Sequence, residues 1–270
     1  MPELPEVETT RRGLAPHVVG RRVLALVIRQ PRLREPIARE VATRVKGRTV
    51  LRLSRRGKYL LLHFANGDLI VHLGMSGSLR IVEETAEAGS HDHVDWVLDS
   101  GYRLRFRDPR RFGTVAWASS AKAHALLRAL GPEPLTSDFH ATGLFDRSRG
   151  RRVAVKQFLM DHRVVAGIGN IYANEALFRA GIHPARAAGR IALCRYERLV
   201  EAVRRVLHEA IEAGGTTLRD FVGGEGQAGY FSQQLQVYGR AGQACAECGG
   251  VIACIRIGQR STYYCPRCQR

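Results

Sequence analysis

The chain lacks several features, and each absence removes a class of protein. No apolar run approaches the roughly 18 residues that a membrane-spanning helix needs. The opening MPELPEVETT is acidic and has no apolar stretch, so no secretory signal is read there. A cytoplasmic location without membrane association is therefore the expectation. Internal repeats and low-complexity tracts are missing too, which sets aside solenoids and disordered tails. Lysine is scarce: Lys46, Lys58, Lys122 and Lys156 are the whole complement. Acidic groups are outnumbered, 25 Asp+Glu against 42 Lys+Arg, for a formal net charge of +17.

The excess is thus almost entirely arginine, whose planar fork suits phosphate and the guanine edge. A charge this lopsided points to a polyanionic partner, although it does not separate DNA from RNA. At 270 residues and 45% hydrophobic content, the chain can bury two ordinary cores. Of its six cysteines, four pair by spacing as Cys245-x2-Cys248 and Cys265-x2-Cys268, with 16 residues between the pairs. That is the spacing of a four-cysteine zinc site, and a cytosolic redox setting argues against disulfides. Cys194 and Cys254 have no such partners and read as small buried hydrophobes.

The hydrophobic period changes along the chain. Residues 3–12 read as a short helix, with Pro5 in its first turn and Glu6 and Glu8 favouring the N-terminal dipole. Val23–Ile28, Val50–Leu53, Tyr59–Phe64 and Leu69–Leu73 read as strands, with turn signals at Asn66-Gly67 and Asp99-Ser100-Gly101. Several short strands in succession suggest a β-sandwich or barrel. After a linker at 130–135 the period becomes helical. Leu199, Val203, Val206, Leu207, Ala210 and Ile211 form one stripe stopped at Gly214-Gly215. The expected fold class is α+β, in three parts. These are an N-terminal helix with a β-sandwich or barrel over 1–130, a helical domain over 131–235, and a zinc ribbon over 236–270.

Pro2 carries its own chemistry. Removal of Met1 would leave a secondary amine at the terminus, with a pKa well below that of lysine and so partly neutral near pH 7. Attack on a sugar C1′ would give an iminium that has no N–H and cannot relax to a neutral imine. Glu3 next door could shuttle protons. A Met-Pro start is common, so the dipeptide alone assigns nothing.

The segments MPELPEVETTRRGL, RRGKYLLLHF, HLGMSGSLR, DPRRFG, GIGNIYANEALF, GGTTLRDF, GYFSQQLQVYGR and QRSTYYCPRCQ, in this order and across the whole chain, resemble the formamidopyrimidine-DNA glycosylase family. LPEVE and GYFSQQLQVYGR resemble that branch more than its endonuclease VIII-like relatives. The resemblance implies a catalytic set of Pro2 as nucleophile, Glu3 as acid/base, Lys58 near the sugar-phosphate and Arg260 on a DNA phosphate. It makes the region around Asn170 a helix–two-turn–helix element, and places His72, His91, Arg151 and Asn170 on DNA. Met75, Arg110 and Phe112 resemble an intercalating trio: apolar groups fill the hole left by a flipped base while Arg110 reads the orphaned cytosine. Glu6, Glu175 and Arg219 fall in the lesion pocket, Arg219 standing where some relatives have lysine, and the Gly223–Gly229 loop would cover the flipped base. One structural zinc is the implied cofactor, since four thiolates leave no open position for catalysis.

The expected activity is a bifunctional glycosylase/AP lyase acting on double-stranded DNA that carries 8-oxoguanine opposite cytosine or formamidopyrimidines. It would work as a monomer, by β,δ-elimination through a Schiff base, with salt-sensitive binding. Two other readings stand beside it: an endonuclease VIII-like enzyme for oxidised pyrimidines, and a non-catalytic zinc-ribbon protein that binds DNA or senses damage.

Overall fold

The structure, a computed structural model, describes residues 2–214 and 235–270. The chain divides into two units, one built on Met1–Arg128 and the other on Ala129–Ala213 with the C-terminal residues to Arg270.

The first unit runs α1 (Leu4–Val18), β1 (Val23–Ile28), α2 (Glu40–Val45), β2 (Arg52–Arg56), β3 (Tyr59–Phe64), β4 (Gly67–His72), β5 (Ser78–Glu83), β6 (Asp92–Leu98), β7 (Tyr102–Arg107), β8 (Thr114–Ala118) and α3 (Ala125–Arg128). Its strands form two four-stranded antiparallel sheets, β2-β3-β4-β8 and β1-β6-β7-β5. Alternation aims Leu60, Leu62, Leu69 and Val71 of one sheet at the core they share with Val94, Trp96, Leu104 and Phe106 of the other. This is the expected β-sandwich. Val7, Leu14 and Val18 of α1 enter the same core, so the first helix is held by burial of one face.

Three boundaries differ from the sequence reading: the strand read as Leu69–Leu73 runs Gly67–His72, and two others differ for physical reasons. The first helix continues through Gly13 and Pro16 to Val18, because Leu14 and Val18 extend its buried face and Pro16 sits in the last turn. The second strand is Arg52–Arg56 rather than Val50–Leu53. Pairing of Leu53 with Leu62 sets its register, and as an edge strand it tolerates charged outer positions.

The second unit contains α4 (Ala141–Ser148), α5 (Val155–Met160), α6 (Asn170–Arg179), α7 (Leu193–Glu212), β9 (Ala253–Ile257) and β10 (Arg260–Tyr264). The stripe Leu199, Val203, Val206, Leu207 and Ala210 packs into a core with Leu159, Tyr172, Ala173 and Leu177. Glu212 ends α7, and Gly214 beyond it has φ +77. Turns over residues 161–169 join α5 to α6. Between the cysteine pairs, β9 and β10 form a two-stranded hairpin whose turn residues Gly258 and Gln259 both have positive φ, +53 and +63, as a two-residue type I′ turn requires. The expected α+β class therefore holds, with sandwich, helical region and ribbon all present.

Cys194 and Cys254, expected to be buried, are both exposed. Cys194 lies in the first turn of α7, off its buried stripe, and Cys254 lies on the outward side of a two-stranded ribbon too thin to bury both faces. Arg219 and the Gly223–Gly229 loop lie outside the described residues. Among the described residues no helix is long and apolar enough to cross a membrane.

Candidate active site and metal centre

In the first unit, α1 presents the chain terminus. Pro2 is buried, and Glu3, only 2% exposed, is the N-cap of α1. The helix is closed by a reciprocal capping box. The Glu3 side chain accepts from the Glu6 backbone, and the Glu6 carboxylate accepts the Glu3 N–H at 2.8 Å. Glu6 thereby holds the backbone on which Pro2 and Glu3 sit. The helix N-terminus adds a fixed positive field at Glu3.

One turn further along, Glu8 connects this helix to the sheet. It accepts from Arg11, and from Arg55 of β2 at 3.3 Å, and Arg55 in turn donates to the Gly57 carbonyl at 2.9 Å. Burial works to raise the Glu8 carboxyl, but these arginines outweigh it and hold the group below its usual range. Gly57 (φ +56) and Lys58 are the two turn residues of the β2–β3 hairpin, a position where the first residue must be left-handed. Glu8 and Arg55 thus tie the Lys58 turn to the helix that begins at Pro2 and Glu3.

His72 ends β4, directly across from Tyr59, with ring centroids 4.7 Å apart. Burial first, then the charges of Lys58 and Arg34, push its pKa down to about 4. Its Nδ1 accepts the Gly74 N–H at 3.0 Å, so the neutral ring carries its proton on Nε2 and offers a donor there. Lys58 and His72 are therefore brought together.

Met75, Arg110 and Phe112 are also brought together. Ser76 Oγ donates to the buried Asp108 at 2.9 Å, the Arg110 N–H donates to Ser76 Oγ at 3.3 Å, and Asp108 accepts from Gly113 at 2.7 Å. Gly74 runs so close to the Phe112 backbone that a Cβ there would lie 2.5 Å from it. The Arg110 guanidinium lies over the Phe112 ring at 4.9 Å. Although each would pass for a core residue by type, Met75 and Phe112 are both 41% exposed. His91 joins the base of the same loop, its carbonyl accepting the Asp108 N–H at 3.0 Å.

In the second unit, Asn170 opens α6 behind the N-cap Gly169 and donates through Nδ2 to the Ser261 carbonyl of the ribbon at 3.2 Å. Arg151 is exposed, its Nε donating to the Arg147 carbonyl at the end of α4. Arg260 is exposed at the start of β10. Glu175 is 1% exposed and spends its carboxylate on three backbone N–H groups, those of Gln236, Val237 and Tyr238, at 2.8–3.0 Å. Its visible work is to pin the backbone at Gln236–Tyr238.

Lys156 was not singled out by sequence reasoning. This α5 side chain is 1% exposed and donates to the Ser261 carbonyl at 3.0 Å and to Thr262 Oγ1 at 2.6 Å. With Asn174, which accepts the Tyr263 N–H at 2.8 Å, it fixes the strand that begins at Arg260. The only sequence signal is a lysine inside an apolar helical run.

The four paired cysteines converge, their sulfurs all within 4.8 Å of one another. Cys245–Cys268 and Cys248–Cys265 stand 3.9 and 3.5 Å apart. A tetrahedron with Zn–S bonds of about 2.3 Å has edges of about 3.8 Å, so the donor set fits Zn²⁺ in number, type and size. Burial, then crowding by the neighbouring thiols, pushes the Cys268 thiol pKa up, a cost that a bound cation removes. Phe178, Val237 and Ile252 pack around Cys245 and Cys265, which couples this centre to α6.

The chain thus carries a β-sandwich led by a capped N-terminal helix, a helical region and a ribbon with four convergent cysteines. Family models match along the chain: the formamidopyrimidine-DNA glycosylase N-terminal domain at residues 1–115, its H2TH domain at 130–222, and the zinc finger found in FPG and IleRS at 242–270. The formamidopyrimidine-DNA glycosylase of Alcanivorax borkumensis is 57% identical over 270 residues, covering 100% of both chains. The crystal structure of MutM (FPG) from Thermus thermophilus superposes with a TM-score of 0.89 at 40% identity, covering 99% of this chain and 98% of that one. A mutant Lactococcus lactis FPG, solved with Fapy-dG-containing DNA, gives 0.93 at 33% identity over the whole of both chains. The chain belongs to the formamidopyrimidine-DNA glycosylase family, a family of glycosylase/AP lyase enzymes, and its ribbon is a structural zinc site.

Proposed function

We propose that the protein removes oxidised purines, 8-oxoguanine opposite cytosine and formamidopyrimidines, from double-stranded DNA, and cuts the strand by β- and δ-elimination. The observation that carries this reading is the buried Pro2-Glu3 pair at the mouth of α1, its backbone fixed by Glu6. Once Met1 is removed, the Pro2 amine attacks C1′ of the flipped nucleotide and the base leaves. The resulting iminium draws electrons from C2′, and Glu3 moves the protons that ring opening and elimination require. Lys58 and the Nε2–H of His72 take the sugar-phosphate. Met75, Arg110 and Phe112 enter the vacated stack, with His91 at the base of their loop. Arg151, Asn170 and Arg260 hold phosphates, while Glu6, Glu175 and Arg219 support the lesion pocket. The activity is that of a cytoplasmic monomer built in three parts that divide near residues 130 and 235.

Borohydride reduction during turnover on an 8-oxoguanine·cytosine duplex tests the proposal. A covalent adduct at Pro2 is expected, and Pro2→Gly should lose most excision while still binding DNA. An adduct on an internal lysine, or none, would sink the mechanism. Faster turnover on thymine glycol than on 8-oxoguanine would move the substrate class to oxidised pyrimidines.

A further inference from the structure

The sheet β2-β3-β4-β8 carries a second cluster, at the opposite end of β3 from the Lys58 turn. Ser54 of β2, His63 of β3 and Asp68 of β4 lie side by side on the face turned away from the sandwich core. Alternation on β3 aims Leu60, Leu62 and Phe64 inward, and the register pairs His63 with Asp68 directly. His63 Nδ1 is 2.6 Å from Asp68 Oδ1, and His63 Nε2 is 2.6 Å from Ser54 Oγ. The other carboxylate oxygen of Asp68 accepts the Ala121 N–H at 2.6 Å, which locks the acid in place. The His63 and Asp68 side chains are 17% and 16% exposed, so the cluster is sheltered yet reachable.

The order of these contacts sets the chemistry. A carboxylate can only accept, so neutral His63 carries its proton on Nδ1 and donates it to Asp68. Nε2 is then left as the acceptor of the Ser54 hydroxyl. A hydroxyl facing a base, with the base oriented by a third fixed group, is the arrangement that activates serine as a nucleophile. Arg52, exposed and two residues from Ser54 on the same strand face, pairs directly across from His63. Directly opposed residues hold their Cβ atoms about 5 Å apart, so its guanidinium belongs to the same surface.

We propose that Ser54 is an activated nucleophile that takes acyl groups from small esters bearing a negative charge, with His63 as general base, Asp68 as its positioning residue and Arg52 as the electrostatic partner of the substrate. The Ser54 oxygen bonds to the ester carbonyl carbon as its proton passes to His63 Nε2. The C–O bond to the alcohol then breaks, and the alcohol leaves with that proton. Water, deprotonated by the same imidazole, releases the acid and restores the serine.

The zinc-loaded full-length protein is treated with a fluorophosphonate probe, and labelled peptides are mapped by mass spectrometry. Ser54 should be labelled about 100-fold faster than the chain's other serines, the usual contribution of a positioned base. Asp68→Asn and His63→Gln should each bring that rate down to the level of the other serines. Arg52→Gln should slow hydrolysis of an anionic nitrophenyl ester more than that of a neutral one, with Ser54→Ala as the background for both. Excision of 8-oxoguanine checks that each variant is folded, and Ser54→Ala should retain it within about twofold. No selective label on Ser54, or a label rate indifferent to Asp68→Asn in a variant that still excises DNA, overturns the proposal. If both His63 and Asp68 variants fail to fold, the wild-type rate at Ser54 against the other serines decides alone.

Discussion

Burial beside Lys58 and Arg34 keeps the His72 ring neutral down to about pH 4, whereas an unfolded histidine protonates near 6.5. The folded pKa is the lower one, so the stability tied to this ring is complete above about pH 6.5. It drains away as pH falls toward 4, by on the order of 3 kcal/mol. Urea midpoints of wild type and His72→Gln should accordingly converge or cross between pH 6.5 and 4, and parallel profiles would contradict the assignment. Lys156 makes a second residue-scale prediction. Lys156→Met takes the ammonium away from Thr262 Oγ1 and from the Ser261 carbonyl, which keeps only Asn170, and should cost about 2 kcal/mol in thermal denaturation. Amide exchange should quicken at 260–264 while β3 and β4 keep their protection. Neither residue advertised its state in the sequence. Residue type alone marks neither the depth of a strand-end histidine nor the partners of a lone helical lysine until the packing around them is known.

At the scale of elements, Glu175 turns α6 into an anchor for the chain beyond residue 235. Glu175→Gln keeps the shape but cannot accept all three N–H groups, since one acceptor oxygen becomes an amide donor, a loss of about 2 kcal/mol. Exchange at Val237 and Tyr238 should rise, with the four-thiolate cluster still able to bind zinc; unchanged exchange there would remove the anchoring role. The sequence exposed those elements whose period is strong and whose ends are marked. Val23–Ile28 and Tyr59–Phe64 came through with their bounds intact, and the cysteine spacing located the ribbon. It hid the end of α1, where Gly13 and Pro16 disfavour helix locally and tertiary burial of Leu14 and Val18 overrides them. It also hid the Ser54–His63–Asp68 cluster. Separations of nine and five residues mean nothing until strand register puts them on one face.

Across the whole molecule, the residues proposed to be catalytic stand out in the sequence only through family likeness. Pro2, Glu3 and Lys58 carry no local pattern of their own, and it takes the capping box and the Glu8–Arg55–Gly57 chain to tie their elements together. Chelation separates the two units experimentally. Removing zinc should unfold the ribbon and lift protection at 253–264, weakening DNA binding, while the sandwich core around Trp96 and Phe106 stays protected. Simultaneous loss of both would show that the units do not fold separately. The sealing of Lys156 has one more consequence. With that ammonium enclosed, Lys46, Lys58 and Lys122 are the lysines left to meet a reagent. Reductive methylation with isotopic formaldehyde should therefore give a spectrum of a few resolved signals. Each would be assignable by one substitution, making the protein its own sparse reporter of which amine a damaged strand engages.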